Sequence, residues 1–246
     1  MTTLTTTIGA IVRGDAEVFP PYLYEAYQST RRRAPSLPLI DVPLTISELT
    51  GPGPAMSAVT PQDADLTRNA GTGGEAIGQR IIVAGRVLDE RGKPVPNTLV
   101  EVWQANAAGR YLHKADQWPG PLDPNFLGIG RCLTDADGVY RFLTIRPGAY
   151  PWKNHPNAWR PAHIHFSLFG PSLVSRLVTQ MYFPDDPLFA LDPIFNAIPS
   201  EAARAGLVSQ YAHDVTEPEW ALGFRWDIVL RGPQATPFES AEGAAR

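Results

Sequence analysis

His163 and His165, in the stretch RPAHIHF (160–166), are the residues whose type and spacing most invite chemistry. In a strand, side chains at i and i+2 share a face, so the two imidazoles project side by side while Ala162, Ile164 and Phe166 turn the other way. Such a pair serves either as ordinary hydrogen-bonded side chains or as half of a metal site. The other histidines, His113, His155 and His213, have no motif around them and are expected in loops or at the surface.

A metal would need further ligands. A non-haem Fe(II) site of the two-histidine type requires a carboxylate, and in double-stranded β-helix proteins with His-x-His a Glu follows within a few residues. Here FSLFGPSLVSRL follows, and the next carboxylate is Asp185. The His-Glu-x-x-His pattern of zinc peptidases is absent. Tyrosines stand nearby instead: Tyr150 in RPGAYPW, rich in Pro and Gly, and Tyr111 after a turn in NAAGRYLHK. A tyrosine beside a loop is ordinarily an amphipathic packing residue. A phenolate is also a hard anionic oxygen donor, and two imidazoles with two tyrosinates make a donor set of charge −2 that favours Fe(III) over Fe(II) or Zn(II). The ion would in turn allow the phenols to ionise well below their usual pKa of about 10. On the residues alone both readings stand.

The elements that must position these groups are strands. RIIVAGRVLD is a β-branched strand from Arg80, ERGKP a turn, and TLVEVWQAN a second strand. RCLTDADGVYRFLTI predicts a hairpin through Asp135-Ala136-Asp137-Gly138. AHIHFSLFG, RLVTQMYFP and FRWDIVLRG supply three more strands, and DPLFALDPIFNAIPSEAARAGLVSQYAHD suits a loop with a short helix. The expectation is an all-β fold: a β-sandwich of two mainly antiparallel sheets with long loops and an irregular N-terminal arm. Residues 1–79 are expected to form the arm and 80–246 the sandwich that carries the site. Within the arm, PPYLYEAYQSTRRRAP has room for one short helix ended by Pro35, and DVPLTISELTGPGPAM carries too many breakers for a core element. The tail ESAEGAAR is expected to fray, and YAHDVTEPEWALGF is expected to be a surface segment.

A chain of 246 residues with net charge −4 and no block of like charges does not suggest a nucleic-acid groove or a membrane patch. The N-terminus MTTLTTTIGAIVRGD has no basic region followed by a sustained apolar core, and no apolar run reaches the length of a membrane span. A single cysteine, Cys132, builds neither a disulfide framework nor a thiolate cluster, so a cytoplasmic setting and N/O metal ligands are expected.

RIIVAGRVLDERGKPVPNTLVEVWQANAAGRY, LTDADGVYRFLTIRPGAYPW and WRPAHIHF, in this order over roughly residues 78–184, resemble the sequence blocks of the intradiol ring-cleaving dioxygenases. The short arm, LDPNFLGIGRC and DIVLRG resemble the β chains of the family's two-chain, protocatechuate-cleaving branch, not the catechol-cleaving members with their helical dimerisation segment. The resemblance implies O2-dependent cleavage of an ortho-diphenol between its hydroxylated carbons, giving a cis,cis-muconate. It implies one non-haem Fe(3+) held by Tyr111, Tyr150, His163 and His165, with Tyr150 the tyrosinate that yields its place to substrate. It also implies a partner, a homologous α chain that lacks the ligand set, in a higher αβ oligomer. Arg160 would face the substrate, although alternation brings it to the histidine side only if the chain turns at Pro161; a surface salt bridge is its other reading. Gln180 matches a position near the O2 and substrate pocket or is an edge-strand polar residue. Trp152 is a pocket wall or ordinary packing. Tyr27 meets a substrate carboxylate or simply packs. Cleavage of another catechol such as hydroxyquinol, or a non-catalytic sandwich subunit, are the competing functions; the full set of four ligands argues against the second.

Overall fold

The β-branched run at Arg80 folds as β1 (Arg80–Leu88), the centre of the first sheet. In this computed structural model, which describes residues 18–38, 40, 58–170 and 177–238, the other strands are β2 (Leu99–Gln104), β3 (Ile129–Leu133), β4 (Val139–Ile145), β5 (Tyr150–Pro151), β6 (Trp159–Arg160), β7 (His163–Phe169), β8 (Leu177–Tyr182), β9 (Gln210–Tyr211), β10 (Leu222–Arg225) and β11 (Ile228–Val229). Among the described residues three helices of four or five residues are α1 (Thr30–Arg33), α2 (Pro193–Asn196) and α3 (Glu201–Ala205). The short helix of the arm thus forms, and Ala34, just before Pro35, caps it. The stretches 1–15 and 41–56 of the arm and the tail 239–246, the last expected to fray, lie outside the described residues. No helix among the described residues is long and apolar enough to cross a membrane.

Two sheets face each other. In one, β1 pairs with β4 antiparallel on one side and with β10 and β11 in parallel on the other, β9 lying outside β10. The other has the order β3-β2-β7-β8, antiparallel throughout. Alternation sends Ile81, Val83 and Val87 of β1, Tyr140 and Phe142 of β4, Val100 and Val102 of β2, and Ile164, Phe166 and Leu168 of β7 into one apolar core. Phe166 is central to it, with ring contacts to Tyr140, Phe142 and Trp226 at 4.8–5.8 Å. Leu66 and the 3-10 turn Pro61–Ala64 close one end, and Leu66 is fully buried. Cys132 is also buried, and burial pushes its thiol up to about 12.

Two expectations are corrected. Asp135 to Val139 does form a tight turn, with Gly138 N donating to Asp135 O and Asp135 N to Val139 O. The strands it joins are not a hairpin, however: β3 pairs with β2 and β4 with β1, so the turn crosses from one sheet to the other. FRWDIVLRG, read as one strand, is broken between β10 and β11 at Trp226 and Asp227. There Trp226 N donates to Ala84 O, Asp227 Oδ1 accepts from Arg86 N, and the Tyr140 hydroxyl donates to Trp226 O at 2.6 Å. The break requires Gly85, because a Cβ there would lie 1.7 Å from the Trp226 carbonyl oxygen. Gly85→Ala is accordingly expected to lower unfolding stability by about 3 kcal/mol or more, measured by chemical denaturation. YAHDVTEPEWALGF is a surface segment in part, but its ends form the β9–β10 pair and its Ala212 and Ala221 are buried.

Candidate metal centre

His163 and His165 lie on the outer face of the β2–β7–β8 sheet, opposite the core positions Ile164 and Phe166. Register places Tyr182 beside His163 and both Gln180 and Trp103 beside His165. The Trp103 indole stacks on the His165 ring, with centroids 4.7 Å apart and planes 5° from parallel. His163 is 2% exposed and its Nδ1 donates to the Pro161 carbonyl at 2.7 Å, which leaves the Nε2 lone pair directed into the site. Burial, then the nearby Arg160 charge and His165, hold His163 well below the ordinary imidazole range, so it is neutral at neutral pH. Neutrality is what ligation demands.

Two loops carry the tyrosines. After β2, Asn106 Oδ1 accepts from the backbone N of Ala108 and Arg110, and the Asp116 carboxylate accepts from the backbone N of Tyr111 and Trp118 and pairs with Arg110 at 3.2 Å. These local bonds fix the backbone around Tyr111 without regular structure. Tyr150, expected in a loop, instead lies in the two-residue strand β5, which pairs with β6 so that Tyr150 is opposite Arg160. The two tyrosine segments cross at glycines. A Cβ on Gly109 (φ +73°) would sit 2.2 Å from Ala149 O, and one on Gly148 would sit 2.5 Å from Ala107 O.

The crossing brings four rings into a closed circuit: Tyr111 to Tyr150 at 5.3 Å, Tyr150 to His163 at 5.4 Å, His163 to His165 at 4.8 Å and His165 to Tyr111 at 6.4 Å between centroids. The Tyr150 hydroxyl is 3.4 Å from His163 Nε2. Among the described residues no group of three or more His, Cys, Asp or Glu side chains is placed to hold a metal; the further donors beside the two imidazoles are the phenolic oxygens of Tyr111 and Tyr150. Two imidazole nitrogens and two phenolic oxygens make a donor set of the kind a ferric ion takes. His113, His155 and His213 are exposed and take no part in this circuit.

Arg160 is turned to the histidine side and is 2% exposed, so the surface salt-bridge reading does not hold. Its Nη1 donates toward His163 Nε2 at 3.1 Å and Tyr150 Oη at 3.5 Å. Its Nη2 donates to Asp192 Oδ2 at 2.8 Å, Gln180 Oε1 at 2.7 Å and Tyr182 Oη at 2.9 Å. Burial opposes the guanidinium charge, but Asp192 and the phenols outweigh it and hold Arg160 well above its ordinary pKa. Gln180 stands in this network, 2% exposed, and not at a solvated edge. Sequence reasoning missed Asp192 and Tyr182, which no motif marks.

Beside Tyr111 and Tyr150 opens a cleft of about 650 Å³ lined by Trp103, Leu127, Ile129, Trp152 and the cation Lys153 among others. Trp152 packs between Tyr27, at 5.4 Å between rings, and the Arg160 guanidinium, 5.7 Å from its ring. Asn154 pins the arm there, donating to Ala26 O at 2.7 Å and accepting from Gln28 N at 2.9 Å.

Comparisons with known proteins bear on what this arrangement does. A family model described as dioxygenase matches residues 51–232, and one described as the protocatechuate 3,4-dioxygenase beta subunit N terminal matches residues 12–45. The chain is similar to the protocatechuate 3,4-dioxygenase beta chain of Burkholderia cepacia, with 61% identity over 220 residues, 89% of this chain and 93% of that one. To the alpha chain from the same organism it is 28% identical over 166 residues, 66% of this chain and 78% of that one. Among solved structures, 3-chlorocatechol 1,2-dioxygenase from Rhodococcus opacus 1CP shares the fold with a TM-score of 0.51 at 23% identity, covering 70% of this chain and 65% of that one.

Proposed function

The chain belongs to the intradiol dioxygenase family, and on that premise we propose that it is the catalytic β chain of an αβ enzyme cleaving protocatechuate (3,4-dihydroxybenzoate). With O2 the product is 3-carboxy-cis,cis-muconate, a step of aromatic catabolism in the β-ketoadipate pathway. The observation that carries this reading is the 61% identity along nearly the whole length of a protocatechuate 3,4-dioxygenase beta chain. The partner is a homologous α chain, and the arm, residues 1–79, is the segment that meets it, with the sandwich, 80–246, carrying the chemistry. A lone buried thiol suits a reducing, cytoplasmic setting.

In this proposal Tyr111, Tyr150, His163 and His165 hold one non-haem Fe(III). Bound there, the ion supplies Lewis acidity and a template for an ortho-diphenol. The chain's own groups do the rest. Tyr150 would be one of the two phenols that hold the ion, and its Oη, 3.5 Å from the Arg160 Nη1 donor, would take up a substrate proton. Arg160 keeps a fixed positive charge beside the ring carbon on which negative charge develops. Trp152 walls the ring position, Gln180 faces the O2 side, and Tyr27 with Lys153 supplies a hydroxyl and a cation for the ring carboxylate.

The test is oxygen uptake by the αβ enzyme on 3,4-dihydroxybenzoate, catechol and hydroxyquinol, with product mass. One O2 consumed per ring is expected, fastest with the carboxylated catechol, from a reddish protein with a tyrosinate-to-Fe(III) absorption band. A colourless, iron-replete preparation, or a preference for the uncarboxylated rings, overturns it.

A further inference from the structure

Arg160 cannot hold its own position. It follows β5 and the loop Trp152–Ala158, and Pro161 breaks the strand between it and His163. What fixes its guanidinium lies 32 residues further on. Asp192, fully buried, accepts from Arg160 Nη2 at 2.8 Å and from Nε at 3.4 Å. The same carboxylate caps α2 by accepting from Ile194 N at 3.1 Å, so its own place is set by the helix. With the Nε edge tied back, Nη1 is left pointing at Tyr150 and His163.

The orientation passes on to a second group. Gln180 Oε1 accepts from Arg160 Nη2 at 2.7 Å and from the Tyr182 hydroxyl at 2.8 Å. An arginine can only donate, so the amide oxygen must face it, and the Gln180 Nε2 donor is turned away. That Nε2 is buried with no protein partner among the described residues, although a buried donor ordinarily finds one. Its strand neighbour across β7 is His165.

We propose that Asp192 is the positioning residue of the site: by fixing the Arg160 guanidinium it aims Nη1 at the reacting ring and, through Gln180 Oε1, presents the Gln180 amide as a donor to a bound acceptor. This rests on the proposed ring cleavage, in which Arg160 faces substrate. In this proposal Asp192 acts on the reaction through the arginine, with the Tyr182 hydroxyl as a further, longer donor to its Oδ2 at 3.3 Å. Its negative charge and its two-oxygen grip are both required, because a neutral amide leaves a buried cation unbalanced and lets the fork rotate.

The test uses the iron-loaded αβ enzyme carrying Asp192→Asn, Arg160→Lys and both together. Asparagine is as good a helix cap as aspartate, so α2 keeps its cap. The buried cation it leaves unbalanced lowers Tm, so kcat is read only below the Tm measured on the same preparation. Arg160→Lys, which keeps the ion pair, reads the aim of the fork without that loss. Asp192→Asn is expected to keep its iron and its visible band, to lose about 10–100-fold in kcat, and to change KM by less than about 3-fold. Anaerobic titration with 3,4-dihydroxybenzoate, which reads binding without turnover, is expected to shift by less than about 3-fold too. Added to Arg160→Lys, Asp192→Asn is expected to cost less than about 3-fold more, since the residue it positions is already gone. Asp192→Asn with unchanged kcat, additive losses in the double variant, or a loss that merely tracks missing iron each overturn the proposal. Wild-type enzyme that opens no catechol ring overturns the functional reading and this inference with it; an active wild type with an unaffected Asp192→Asn overturns this inference alone.

Discussion

His163→Ala is expected to give a folded protein that purifies with little iron, lacks the visible tyrosinate band, and consumes O2 on protocatechuate at least about 10³-fold more slowly. Exchange of a residue that merely orients a ligand already costs about 10–100-fold in metal affinity or activity. Removing one of four proposed donors is more severe, because the three left offer two anionic oxygens and a single neutral nitrogen. The fold is expected to survive, since His163 faces outward from the sheet and Ile164 and Phe166 hold the core. The loss there is the hydrogen bond to Pro161 O, the contacts of Nε2 with Arg160 Nη1 and Tyr150 Oη, and a small cavity, about 1–3 kcal/mol. Metal analysis, the visible spectrum and an oxygen electrode check the result together. His155→Ala and His213→Ala, at exposed positions outside the ring circuit, are the controls and are expected to keep iron and rate. Full iron in His163→Ala, or iron lost from either control, would remove this histidine from the metal site.

The period-2 signal made the face of β7 legible: histidines on one side, Ile164 and Phe166 in the core. It could not say which sheet a strand joins. The turn at Asp135–Gly138 carries hairpin chemistry, yet it crosses between sheets, because β3 and β4 each find their hydrogen bonds on other strands. Likewise, FRWDIVLRG looks continuous, and only the demand of the Tyr140 hydroxyl and Gly85 on the Trp226 carbonyl explains its break. At the site, Tyr111, Tyr150 and the histidine pair were legible as residue types but not as a circuit, since their meeting depends on two backbones crossing at Gly109 and Gly148. Asp192 was illegible altogether. A carboxylate in LDPIF looks like a helix cap, which it is; that it also neutralises an arginine 32 residues earlier is a fact of tertiary packing.

Arg160→Lys is expected to lower kcat by about 10²-fold with iron content unchanged, whereas Arg160→Leu is expected to destabilise the protein before its chemistry can be read. The difference follows from what each leaves behind. Leucine abandons the Asp192 carboxylate fully buried without a counter-charge, a loss of about 3–5 kcal/mol. Lysine keeps the charge but replaces a planar fork with a single ammonium. The native guanidinium reaches two regions at once, with Nε and Nη2 on Asp192 and Nη1 toward Tyr150 and His163. An ammonium pulled onto Asp192 leaves the Tyr150 end without its donor, and losing one such donor at a developing negative charge costs about 10²–10³-fold in kcat. Because that donor acts on the transition state, KM is expected to move far less than kcat. Steady-state kinetics on the αβ enzyme, with Tm and iron content measured on the same preparations, separates the two variants. Equal kcat for Arg160→Lys and wild type would mean that a positive charge anywhere near Asp192 suffices, and that the aim of Nη1 contributes nothing to ring cleavage.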